Sequence, residues 1–294
     1  MSDLPRRQFG ATDLEVSALG LGAGTIGDES IDDQDVGRLL HLAVDLGVTL
    51  FDTARSYGAS EDRIGRHLAD RRQHIVLSTK LGYGIEGVPD WTGPCVTAGV
   101  DEALARLRTD YIDIVHLHSC PLETLERGEV IAALEDAVRA GKVRFAAYSG
   151  ENEALRFAAT CGRFGSIQTS VNVCDQWSLR NVLPGAASLG VIAKRPLANA
   201  FWRFSKRPAG NYAELYFDRW QAMATDLDGI DPATVALRFA AWAPGVSAAI
   251  AGTTREANLR ANVQDVARGP LPSETVTRLR EAFDRVGSQW PGDV

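Results

Sequence analysis

The chain has 294 residues, 45% hydrophobic and 23% charged, with a formal net charge of −7 at pH 7. A chain of this length buries a large core without covalent staples, and the lack of a basic tract argues against nucleic acid as a main partner. No apolar run approaches the roughly 20 residues of a membrane span. The opening MSDLPRRQFG has no apolar signal core. Cys95, Cys120, Cys161 and Cys174 form no CxxC pair. They read as reduced thiols, not a zinc site or disulfide framework, and a cytoplasmic protein is expected.

The first twenty residues read as a hairpin, RRQF and LEVSAL joined by the turn GATD. Eight apolar runs follow: ALGLG (18–22), VTLFD (48–52), IVLSTK (75–80), YIDIVHLH (111–118), VRFAAYS (143–149), SIQTSVN (166–172), GVIAKRP (190–196) and VSAAIAG (246–252). Helical patterns separate them, several opening at Ser, Asp or Thr and closing at Gly, as end-capping requires. In GVDEALARL the apolar positions 100, 104 and 107 share one helical face. TLERGEVIAALEDAVRAG reads as one helix, and LPSETVTRLREAFDRV (271–286) as a C-terminal one. Alternation of this kind predicts an α/β fold, a (β/α)8 TIM barrel forming one domain over residues 1–294. A doubly wound parallel sheet is the competing arrangement. Gly22 to Gly27, GAGTIG, contains GxGxxG, but the chain does not pass directly into a helix there, so the motif is a weak dinucleotide signal.

About thirty residues lie between the seventh run and the helix DPATVALRFAAW. Loops that long are usually functional or disordered, and this one, with Phe201, Trp202, Phe204, Tyr212, Tyr216, Phe217 and Trp220, is too aromatic for disorder. The segment from about 198 to 230 is expected to act as a lid, with YAELYFDRWQAMA as a helix.

In a barrel, catalytic groups sit at the C-terminal ends of the strands. The runs deliver Asp52 with Tyr57 just beyond it, then Lys80, His118, Ser149, Asn172, and Lys194 with Arg195. Asp, Tyr, Lys and His meeting at one mouth suit proton transfer. A tyrosine ordinarily has a pKa near 10. An ammonium about 4 Å away contributes roughly 4 kcal/mol at a near-surface dielectric, or about three pK units toward a useful acid. A carboxylate would hold the lysine charged, and a neutral histidine could donate to a carbonyl oxygen. His116 lies on the same strand face as His118 and reads as a satisfied core histidine.

FDTARSYGASEDRIG, LSTKLG, ALARLRTDYIDIVHLH, GKVRFAAYS and IAGTTREANLRAN together resemble the aldo-keto reductases, in that family's order and spacing from about residue 6 to residue 266. The resemblance implies a (β/α)8 barrel that transfers hydride between a nicotinamide and a carbonyl. Tyr57 would be the general acid, Lys80 would strengthen it, Asp52 would pair with Lys80, and His118 would orient the carbonyl. It also implies that Ser149 and Gln168 hold the nicotinamide amide. Gly22 and the segment Lys194, Arg195, Pro196 and Leu197 would line the cofactor cleft, with Arg195, Arg203, Lys206 or Arg207 near the pyrophosphate. Thr253, Thr254 and Arg255 at a helix start would meet an adenosine 2′-phosphate, and Asn262 the adenine.

The chain departs from the family's pattern in several places. Gly150 stands where asparagine is usual, Gly252 where many members have lysine, Asn258 where many have arginine, and Lys194 where an aromatic residue often stacks on the nicotinamide. A cation at 194 would disfavour the oxidised, positively charged ring. NADP(H) is favoured and NAD(H) remains possible. Trp91, Cys120 and Trp202 would wall the substrate site, and no metal is expected. The leading reading is an NADP(H)-dependent reductase of aldehydes or ketones. An NAD-dependent sugar dehydrogenase and a non-enzymatic NADP(H)-binding sensor or regulatory subunit are the alternatives. Nothing in the residues marks an oligomer interface.

Overall fold

A computed structural model describes residues 4–227 and 229–294. Its centre is a closed barrel of eight parallel strands, with helices outside it. Ahead of the barrel, β1 (Arg6–Gln8) and β2 (Glu15–Ser17) pair antiparallel. The barrel strands are β3 (Leu19–Gly22), β4 (Leu50–Asp52), β5 (Val76–Leu81), β6 (Ile112–His118), β7 (Val143–Ser149), β8 (Ser166–Ser170), β9 (Gly190–Lys194) and β10 (Ala248–Ala251). β10 pairs with both β3 and β9, and this closes the ring. Closure decides against the doubly wound sheet.

The helices between strands are α1 (Asp33–Asp45), α2 (Ser60–Leu68), α3 (Gly93–Leu107), α4 (Leu122–Arg127), α5 (Glu129–Arg139), α6 (Asn152–Thr160), α7 (Trp177–Asn181), α8 (Glu214–Met223) and α9 (Pro232–Ala241). After the last strand come α10 (Glu256–Ala267) and α11 (Ser273–Val286). Asp32 caps α1, Thr92 caps α3 and Asp231 caps α9, each side chain accepting from main-chain N–H groups of the first turn. The stretch read as one helix over 124–141 is two. Gly128, at φ 78°, ends α4 and starts α5 at a new angle.

A strand alternates its side chains between faces. One set, including Leu50, Val76, Ile114, Ala147, Ile192, Ala248 and Ile250, fills the barrel interior together with Phe9, Leu14 and Val16 of the hairpin. The hairpin therefore plugs one end. The opposite set, such as Phe51, Leu77, Val115, Tyr148, Ile167 and Val191, packs against the helices. The described residues of the insert after β9 pack against the body of the protein. Its short 3-10 turn Ala198–Arg203 and α8 pack Phe201, Tyr216 and Met223 against Phe239, Leu279 and Phe283 of α9 and α11.

Candidate active site

The period-two rule continues past the hydrophobic plug. Two residues on from Leu50 is Asp52, and four on from Val76 is Lys80. Ile114 leads to His116 and His118, Ala147 to Ser149, and Ile192 to Lys194. Asp52, Lys80, His118, Ser149, Gln168 and Lys194 share one cavity of about 540 Å³ at the open end, with Gly22, Tyr57, Ser119, Arg195 and Gly252 also in its lining.

The Lys80 ammonium is 1% exposed. It donates to Asp52 Oδ2 at 2.5 Å and to the Thr53 carbonyl at 2.8 Å. Burial alone would lower its pKa, but the Asp52 carboxylate and Tyr57 outweigh that and raise it, so the amine stays charged. Asp52 Oδ1 accepts from the Ser78 hydroxyl at 2.8 Å and the Gln168 amide at 2.9 Å. The ammonium lies 5.0 Å from the centre of the Tyr57 ring. That ring stands edge-on to His118, with centroids 6.1 Å apart.

Tyr57 is delivered by a braced turn. Thr53 donates to Ser60, Ser60 donates to the Ala23 carbonyl, and the Ala59 N–H bonds the Gly27 carbonyl. A Cβ at Gly27 would meet the Tyr57 carbonyl oxygen at 1.7 Å. This last glycine of GAGTIG therefore serves to let the tyrosine loop approach, a role its motif did not suggest.

His118 is held neutral. Burial, then the charges of Lys80 and Lys194, push its pKa from 6.5 down to about 3. Its Nδ1 lies 2.8 Å from the Tyr83 hydroxyl, and Tyr83 also stacks beside its ring. The phenol has one proton and also lies 3.1 Å from Ser56 Oγ; where it donates to Nδ1, the remaining ring proton is on Nε2. Tyr83 was missed in the sequence, although it stands only three residues after Lys80. His116 is wholly buried, with Nε2 3.0 Å from Ser78 Oγ and burial lowering its pKa to about 4. Among the described residues its Nδ1 has no partner of good hydrogen-bond geometry, so it is a core histidine satisfied chiefly on one side.

Ser149 donates to Gln168 Oε1 at 3.0 Å, which links both to Asp52. The glycine at 150 has a steric cause, because a Cβ there would lie 2.3 Å from the Tyr148 hydroxyl. That phenol bonds the Cys120 carbonyl. Lys194 sits 3.2 Å from Glu151, a carboxylate buried among Thr169 and the Ser170 N–H.

Arg195 was expected near a pyrophosphate. It is instead committed to the Asp293 carbonyl and carboxylate, both at 2.7 Å, and to the Tyr212 hydroxyl at 2.6 Å. Arg207 likewise holds Asp218 and Glu214. Around buried Pro196 and half-buried Leu197 the backbone is strained. Arg195, Ala198, Asn199 and Ala200 all have φ between 44° and 53°, and such strain gathers at ligand sites. Beyond β10, Thr253 is buried and its hydroxyl accepts from the Arg255 N–H at 3.1 Å. Thr254, Arg255 and Asn258 are exposed and Asn262 is buried. No side chain caps α10, so its first N–H groups are available to an anion.

The expected substrate wall is assembled differently. Cys120 is 1% exposed and belongs to the core between barrel and helices, and burial pushes its thiol up to about 12. Ser119, at φ 60°, turns the chain so that the serine and not the cysteine lines the cavity. Trp202 packs edge-on against Phe201 within the insert, and Trp91 packs against Tyr83. Neither is in the cavity lining, whereas Tyr212 and Val294 are. Among the described residues no cluster of His, Cys, Asp or Glu could hold a metal, and no helix is long and apolar enough to cross a membrane.

Residues 18–284 match the pattern of the Aldo/keto reductase family. The chain is 26% identical over 295 residues to the oxidoreductase YqkF of Bacillus subtilis, covering 94% of this chain and 95% of that one. It is 32% identical over 215 residues to the L-galactose dehydrogenase of Arabidopsis thaliana, covering 67% of each. The holo form of the aldo-keto reductase AKR11C1 from Bacillus halodurans superposes with a TM-score of 0.81 at 27% identity, over 95% of this chain and 96% of that one.

Proposed function

The chain belongs to the aldo/keto reductase family, and from that premise we propose that it is an NADP(H)-dependent oxidoreductase reducing an aldehyde or ketone to an alcohol. The observation that carries the reading is the buried Asp52–Lys80 pair, with Tyr57 and neutral His118 on the same cavity. The reduced nicotinamide, when bound, supplies a hydride to the carbonyl carbon. Tyr57 gives its phenolic proton to the carbonyl oxygen, which completes the alcohol, and the phenol is reprotonated from solvent. Lys80, kept charged by Asp52, favours that proton release and steadies the phenolate left behind. His118 donates a neutral N–H to the same oxygen and fixes its direction.

The residues present suit the cofactor. Ser149 and Gln168 offer hydroxyl and amide groups to a carboxamide. Gly22 and Gly252 leave room at the mouth, and in the strained Arg195–Ala200 segment, where Pro196 has no N–H and those of Ala198 and Ala200 bond the Arg195 and Leu197 carbonyls, the Leu197 and Asn199 N–H groups would be the donors to a diphosphate. Thr253, Thr254 and Arg255, at a helix start with no side-chain cap, would meet a 2′-phosphate, with Asn262 for the adenine. This favours NADP(H) over NAD(H). The similarity to L-galactose dehydrogenase supports a second reading, NAD-dependent oxidation of a sugar with Tyr57 as base.

The test is Tyr57→Phe. Carbonyl reduction should fall by about 100- to 10,000-fold, while NADPH affinity, followed by quenching of tryptophan fluorescence, stays within about twofold of wild type. Turnover near the wild-type rate would refute the assignment. NADH binding as tightly as NADPH, with turnover of sugars but not of aldehydes, would favour the second reading.

A further inference from the structure

We propose that the segment Pro291–Asp293 is a strap whose docking holds the strained turn after β9 in place, so that its release sets how fast a bound nicotinamide cofactor leaves; the part played by the cofactor rests on the reductase reading above. Residues 287–294 follow α11 and form neither helix nor strand. Even so, each polar main-chain group of Pro291, Gly292 and Asp293 is met by a side chain from elsewhere. Arg219 donates to the Pro291 carbonyl at 2.7 Å. Asn152 bonds both the N–H and the carbonyl of Gly292, at 2.7 and 3.1 Å. The Asp293 N–H donates to Asp175 at 2.9 Å, and the Asp293 carbonyl accepts from Arg195 at 2.7 Å.

These four side chains come from the start of α6, the loop after β8, the end of β9 and α8. Arg219 and Asp175 are buried. The fit is close, since a Cβ on Gly292 would lie 3.0 Å from Glu151 Oε2 and 3.1 Å from Glu151 Cβ. The strap is held by side chains alone, so it can lift without melting a helix or a strand. Arg195 connects this seat to the cavity. Its φ of 53° is one that a non-glycine residue keeps only under outside constraint. Asn172 supplies part of that constraint by donating to the Arg195 carbonyl at 3.1 Å. The strap supplies more, because the Asp293 carboxylate accepts at 2.7 Å from the same guanidinium nitrogen that holds the Asp293 carbonyl. Arg195 opens the turn that carries the Leu197 and Asn199 N–H groups. Its guanidinium also donates to Tyr212 of the insert, so one side chain fastens insert and strap together. Tyr212 and Val294 both line the cavity, yet they are 71% and 72% exposed. They are apolar surface at the mouth that a bound ligand would cover.

The experiment reads strap and cofactor separately. Hydrogen exchange of the Gly292 and Asp293 amides is followed in the wild-type protein, alone and with saturating NADPH or NADH. Cofactor dissociation is followed by stopped-flow fluorescence in wild type, Asp293→Ala, Asp293→Asn and Gly292→Val. Coupling between two sites is reciprocal, so bound cofactor should slow exchange at both amides by about tenfold. Asp293→Ala and Gly292→Val should release cofactor about tenfold faster than wild type. Asp293→Asn, which keeps an oxygen for Arg195, should fall between. Exchange that cofactor leaves unchanged, or dissociation unchanged in both Asp293→Ala and Gly292→Val, overturns the inference and leaves the reductase reading standing. The exchange measurement needs no variant, so it decides the matter even where a substitution prevents folding. Binding of neither NADPH nor NADH by wild type overturns the reductase reading, and this inference with it.

Discussion

His116→Asn tests the barrel interior directly. The imidazole is 0% exposed and bonded through Nε2 to Ser78. Burial lowers its pKa from 6.5 to about 4, Asp52 opposes the shift, and the charges of Lys80 and Lys194 add to it. The folded protein keeps this group neutral, whereas the unfolded chain protonates it below about 6.5. Unfolded molecules thus bind the extra proton, and the contribution to stability is intact above pH 6.5 and lost as the pH falls toward 4. Between pH 7.5 and pH 5.0 that loss is about 2 kcal/mol. His118 acts with the same sign. Asp175, which burial and then Glu151 raise to about 7, acts with the opposite one. Asparagine removes the titration and keeps an amide near Ser78. Urea unfolding of both proteins at pH 7.5 and 5.0 provides the comparison, since any packing loss is common to both pH values. The variant's deficit relative to wild type should shrink by about 2 kcal/mol at pH 5.0. An equal deficit at both pH values would refute a buried neutral histidine.

Two further outcomes follow from the site. Tyr83→Phe removes the partner of His118 Nδ1, so kcat/KM for the carbonyl should fall about tenfold with NADPH affinity unmoved. An unchanged kcat/KM would show that the hydroxyl does not orient the ring. Arg255→Ala should weaken NADPH binding by about tenfold or more and leave NADH nearly untouched, because the 2′-phosphate is what distinguishes the two. Equal losses in a paired fluorescence titration would remove Arg255 from that role.

Much of the architecture was legible because strand periodicity is local. Once Leu50, Val76 and Ile114 are taken as inward, Asp52, Lys80 and His118 must be inward as well. The end-caps at Asp32, Thr92 and Asp231 are equally local, as is the hairpin. Local pattern fails where the regular backbone stops. Past β6 the alternation would have sent Cys120 to the cavity, but Ser119 at φ 60° reverses the direction. Within the insert, aromatic residues could have faced a ligand or a core. They went to a core because α11, more than fifty residues later, offers Leu279 and Phe283 as an apolar partner.

What the sequence determined by itself was the set of strands, their inward faces and the chemistry at their ends, since each depends on neighbours two to four residues away. What only the tertiary structure decided was the pairing of those groups. Tyr83 reaches His118 across 35 residues, and Arg195 reaches Asp293 across 98. Lys194, at the end of β9, meets buried Glu151, just beyond β7, at 3.2 Å. Hydrogen bonds and ion pairs act over a few ångströms, so which partners meet is settled only when the barrel closes and its loops come to rest over the mouth.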